Sequence, residues 1–175
     1  MEGKPISIDG IIIPSDNPLF LVLIAVHVLA AITCVVAGVV AMLAPKERGR
    51  HTSAGSVYYF GMFVVFVTVT IISALRWKED YYLFLLGLFS LSAAVIGRMA
   101  MKRKWRGWAV YHVIGMGSSY IVLITAFYVD NGKFLPIWRN FPPIVYWTLP
   151  AILGTPIIIY TLLRHPIIKK QNRTA

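Results

Sequence analysis

The chain has 175 residues, 58 % of them hydrophobic and only 14 % charged, with a formal net charge of +10 and one cysteine. Soluble domains carry about 25 % charged residues, so this composition argues against a water-surrounded fold. A single cysteine excludes an intrachain disulfide framework and a cysteine-rich metal site. The basic residues sit at the ends of apolar blocks rather than in a patch on a soluble fold. The expected partner is therefore the lipid bilayer, and no nucleic acid is expected.

In chain order, residues 1–17 lack the strongly basic start and long apolar run of a cleaved signal peptide. They are expected as an ordered or partly ordered tail on the membrane surface. Five apolar blocks follow. The first runs from 19 to 44 and is closed by Pro45, which cannot continue a helical hydrogen-bond ladder. The second runs from 53 to 75, with Thr52 or Ser53 as the expected N-cap. The third covers 81–99, and the fourth covers 108–129 and stops at Asn131-Gly132. The fifth covers 144–163 and is followed by Pro166. Each block approaches the ~20 residues that cross a ~30 Å hydrocarbon core. They are too long and too continuously apolar for barrel strands. The expectation is an all-α bundle of five transmembrane helices forming one domain over residues 1–175.

The connections alternate in charge. Lys46, Arg48, Arg50, Arg98, Lys102, Arg103, Lys104, Arg106, Arg164, Lys169, Lys170 and Arg173 fall on one side, and Lys4, Arg76, Lys78, Lys133 and Arg139 on the other. The positive-inside rule then puts the N-terminus outside and the C-terminus in the cytoplasm. Trp77, Tyr81, Tyr82, Tyr128, Trp138 and Trp147 form the expected outer aromatic belt, with Tyr58, Trp105 and Trp108 at the inner level. The segment 131–143 is expected to lie along the outer boundary.

No Asp, Glu, Lys or Arg lies in the middle of a block, which argues against a carboxylate-driven proton pump or ion-coupled transporter. The ionisable groups in or near the membrane are His27, His51, His112 and His165. At ~1.5 Å per residue, His27 lies roughly 12 Å below the outer surface and His112 roughly 6 Å above the inner one. His51, His112 and His165 belong to the inner level, while His27 stands apart. Three histidines at one level suit zinc with water as the fourth ligand. One or two of them suit haem. The competing reading makes His27 and His112 interhelical hydrogen-bond partners, with His51 and His165 on headgroups.

The face His27, Ala30, Ala31, Cys34, Gly38 and Ala41 follows i+3 and i+4 spacing, as does His112, Gly115, Met116 and Ser119. Small faces of this kind let membrane helices approach closely. Pro150 and Pro156, with Gly154 between them, suggest a kinked fifth helix that frees carbonyls beside a cavity. Lys102, Arg103, Lys104 and Arg106 are candidates for contact with anionic lipid headgroups.

His27, the loop "RHTSAGSVYYF" with His51, Gly55 and Tyr58, and the stretch "HVIGMGSSYIVLITAFYVDNG" together resemble an uncharacterised family of multipass bacterial membrane proteins, a domain of unknown function. The resemblance implies a bacterial cytoplasmic membrane location and carries no activity. Three functional expectations stand: a protein binding a metal ion or haem through inner-level histidines, an accessory or structural subunit without cofactor, and a small-molecule or lipid transporter using the fifth helix. The sequence assigns no reaction.

Overall fold

The computed structural model describes residues 6–8, 11–13 and 17–173, with side chains placed for 17–169. The remainder of the expected N-terminal tail, including Lys4, and the side chains of Lys170 and Arg173 lie outside the described residues. Two short strands, β1 (Ile6–Ile8) and β2 (Ile11–Ile13), pair antiparallel with Ile6 opposite Ile13. The rest is helical: α1 (Pro18–Leu43), α2 (Arg50–Leu75), α3 (Trp77–Arg103), α4 (Trp108–Asn131), α5 (Pro143–Arg164) and α6 (Pro166–Arg173). The helices α1 to α5 are each long and apolar enough to cross a membrane.

The helix ends follow local chemistry. Pro18 occupies the first turn of α1, and the Asn17 side chain accepts the Leu19 N–H. At the other end, Lys46 Nζ donates to the carbonyls of Ala41, Met42 and Ala44, at a helix terminus where carbonyls lack intrahelical partners. Burial lowers the Lys46 pKa from its ordinary value. Helix α2 starts three residues earlier than expected, and its N-cap is Gly49 rather than Thr52 or Ser53. Gly49 has φ +127°, a backbone state open to glycine and rarely to other residues. Helix α6 was not anticipated, although Pro166 just after α5 is a good first-turn residue for a new helix.

The chain divides into two compact units, Met1–Gly87 and Leu88–Ala175. In the first, α1 and α2 form an antiparallel hairpin. Cys34, Ala37 and Gly38 on α1 are buried, as are Tyr58, Met62, Val65, Thr68 and Val69 on α2. Cys34 Sγ donates weakly to the Tyr58 carbonyl at 3.7 Å. A Cβ on Gly61 would come within 2.6 Å of that sulfur. Tyr58, expected in the inner aromatic belt, is instead 2 % exposed inside the hairpin. Its position on the face opposite Cys34 outweighs the preference of tyrosine for the boundary.

In the second unit, the later part of α3 packs against α4 at very short range. A Cβ on Gly115 would lie 2.6 Å from the Ala93 carbonyl oxygen and 2.7 Å from Gly97 Cα. Ser90 Oγ donates to the Ser119 carbonyl at 2.8 Å and lies 3.2 Å from Ser119 Oγ. Helix α5 runs antiparallel to α4: Gly117 meets Ile158, Gly154 meets Ile121, and Gly132 meets the Tyr146 ring. Pro150 and Pro156 lie inside the single helix α5. Between α4 and α5 the chain forms two 3-10 turns, Gly132–Phe134 and Trp138–Asn140. Tyr146 Oη ties down the second by donating to the carbonyls of Trp138 and Phe141.

The burial pattern is inverted relative to a soluble bundle. Large apolar side chains such as Leu19, Leu29, Phe60, Phe89 and Ile152 face outward, while Thr68, Ser73, Ser90, Ser119 and Thr125 are buried. In water such an apolar exterior would drive association, whereas lipid solvates it. Thr33, Thr70, Thr125, Thr148 and Thr161 donate to carbonyls four residues back, which satisfies their hydroxyls without water.

Candidate functional site

The hydrogen bonds of the four histidines define what each ring can do. His27 Nδ1 lies 2.8 Å from Thr68 Oγ1 on α2. The single Thr68 proton is directed to the carbonyls of Val64 and Val65 at 2.7 and 2.9 Å. Thr68 Oγ1 is therefore the acceptor, and His27 Nδ1–H donates. His51 Nδ1 lies 2.8 Å from the Ala41 carbonyl, which also receives Lys46 Nζ. His112 Nδ1 lies 3.1 Å from the Gly97 carbonyl on α3. A carbonyl can only accept, so both rings carry their proton on Nδ1. In their neutral form, all three rings carry the proton on Nδ1. A carbonyl bond on the other ring nitrogen is also how ligating histidines are oriented and made more basic.

His165 differs. It precedes Pro166, and its Nδ1 accepts the Ile167 N–H at 3.3 Å. It serves as the N-cap of α6, and its proton sits on Nε2 in the neutral form. As placed, it offers a donor rather than a ligand lone pair at Nε2.

The levels can be compared within each unit. Ala41, the partner of His51, lies about 21 Å further along α1 than His27. His27 and His51 therefore cannot share one ion. In the second unit, the pairing of Gly117 with Ile158 and of Gly154 with Ile121 brings His165 to the level of the first turn of α4. His112 lies within about one turn of it. Among the described residues, no three His, Cys, Asp or Glu side chains are grouped to hold a metal ion.

Sequence reasoning singled out the histidines and missed their partners, Thr68, the Ala41 carbonyl and the Gly97 carbonyl. The signal was present in the hairpin geometry. A turn centred near residue 47 puts residue 27 opposite residue 67, and one centred near 105 puts 112 opposite 98. Lys102, Arg103, Lys104 and Arg106 are all exposed at the turn between α3 and α4.

These features define a multipass helical membrane protein whose two units are each closed by histidine-to-backbone or histidine-to-hydroxyl bonds between helices. No family model, no curated protein and no solved structure matches the chain.

Proposed function

We propose that this is a bacterial inner-membrane protein, N-terminus outside and C-terminus in the cytoplasm, that ligates a haem or a metal ion through histidine Nε2. His112, at the cytoplasmic end of α4, is the first candidate, and His51, at that of α2, is a separate one. The observation that carries the reading is the Nδ1–H donated by each ring to a backbone carbonyl. That bond fixes the tautomer and holds the ring plane, which is how ligating histidines are oriented. Haem fits better than a three-histidine zinc centre. Haem iron takes one or two protein ligands, and no trio is grouped among the described residues. The chain's own contribution is to hold these rings in orientation.

A second reading is favoured by the same bonds. A histidine that donates across a helix pair also clamps that pair, as His27 does on Thr68. A protein using all its membrane histidines in this way is a structural or accessory subunit. Absorbance spectroscopy and elemental analysis of protein purified from membranes separate the two readings. A Soret band or near-stoichiometric metal supports ligation, and a colourless, metal-free protein supports the clamp.

A further inference from the structure

We propose that the turn between α3 and α4, together with α6, binds the phosphate headgroup of an anionic phospholipid. The proposal is independent of the histidine reading.

The turn is built around a lysine in a position that ordinarily takes glycine. Helix α3 ends at Arg103, and Trp105 N–H closes back on the Ala100 carbonyl at 3.2 Å. This closure puts Lys104 at φ +52°. Glycine is the usual residue there, because a Cβ disfavours the left-handed state. Lys104 instead directs its Nζ to 4.2 Å above the Trp108 ring. Trp105 packs edge-on to Tyr111, with ring centroids 6.0 Å apart. Lys102, Arg103, Lys104 and Arg106 thus project from a fixed turn whose flanks are amphipathic rings suited to the headgroup level.

Helix α6 brings a second basic surface to the same end of the unit. The antiparallel pairing of α4 and α5 returns Arg164 to the start of α4. Helix α6 packs there on α4 and α5, with Ile168 2 % exposed and Lys169 exposed. Residues 88–175 contain one acid, Asp130, and it sits at the far end of α4. Immediately beyond the basic turn, Ile96 and Ile114 expose apolar surface. A cationic rim above an apolar flank matches a molecule with a phosphate head and acyl chains. Arg and Lys supply charge-assisted hydrogen bonds to phosphate oxygens. A soluble anion would leave the apolar flank unused.

The test uses full-length protein in which Trp77, Trp138 and Trp147 are replaced by Phe, so that Trp105 and Trp108 report on the turn. It is reconstituted into phosphatidylcholine vesicles containing brominated phosphatidylglycerol or brominated phosphatidylcholine. Stronger quenching by the anionic lipid is expected, and the preference should shrink in high salt. Each of Lys102→Gln, Arg103→Gln and Lys104→Gly should lower the preference up to about fivefold. Lys104→Gly keeps a turn that glycine favours, so its loss of preference cannot be assigned to misfolding. Lys133→Gln, at the other end of α4, should leave the preference unchanged. Equal quenching by both lipids would overturn the proposal. So would wild-type preference in all three basic variants, an equal loss in Lys133→Gln, or abolition by millimolar inorganic phosphate, which would indicate a free-anion site.

Discussion

Gly115→Ala tests whether the second unit is held by direct backbone contact between α3 and α4. The added Cβ would stand 2.6 Å from the Ala93 carbonyl oxygen, 2.7 Å from Gly97 Cα and 2.8 Å from Gly97 N. All three are backbone atoms and cannot rotate aside. Ordinary carbon contacts begin near 3.5 Å, so the helices would have to separate by about 0.8 Å at this crossing. Overpacking of this kind costs about 1–3 kcal/mol. The same separation stretches the His112–Gly97 bond, now 3.1 Å, and the Ser90–Ser119 bond, now 2.8 Å, beyond useful length. Each lost bond adds about 0.5–1.5 kcal/mol, so a total of about 2–6 kcal/mol is expected. The control is Gly55→Ala, where no atom lies within 4 Å of the added carbon. There, helix propensity alone should stabilise by about 0.5–1 kcal/mol. Reversible unfolding in mixed micelles, followed by far-ultraviolet circular dichroism, measures both. Equal stability of the two variants would refute close backbone packing of α3 on α4.

Gly154→Ala should cost less than Gly115→Ala, under about 1.5 kcal/mol, because its neighbour is the movable Ile121 side chain; the same unfolding assay checks it. Lys104→Gly should raise stability by about 0.5–1 kcal/mol by relieving the left-handed lysine, and a lower midpoint would contradict the turn geometry. Cys34, fully buried against Gly61, should resist a maleimide in folded protein and react once unfolded, as read by mass spectrometry. Reporter fusions after Lys104 and Ala175 should score cytoplasmic, and a fusion after Lys133 external; the reverse pattern would overturn the proposed orientation.

The five spanning helices were legible because lipid imposes a length and composition that few other structures share. The small faces through Cys34 and Gly115 were legible from i+3 and i+4 spacing, since close approach leaves room only for small side chains. The start of α2 was misplaced because the expected cap was a hydroxyl, whereas the chain turns at Gly49 through a backbone state that only the dihedral angle reveals. Tyr58 was misassigned because an amphipathic ring suits either a boundary or a buried helix face, and only the pairing of α1 with α2 decides which. His27 and His112 were flagged by their cost in lipid and His51 by its place at the inner boundary, but their tautomers depend on partners brought close by hairpin pairing. His165 looked equivalent to the others until α6, beginning at Pro166, gave its Nδ1 an amide to accept.

The most direct test of histidine ligation is the absorbance spectrum and metal content of purified wild type, His112→Ala, His51→Ala and His27→Ala, each confirmed folded by circular dichroism. Wild type should carry a Soret band or bound metal. His112→Ala and His51→Ala should each lower it, and His27→Ala, whose ring lies about 21 Å along α1 from the level of His51, should retain it. A wild type with neither haem nor metal, or a signal unchanged in both His112→Ala and His51→Ala, would contradict ligation and leave the histidines as clamps between helices.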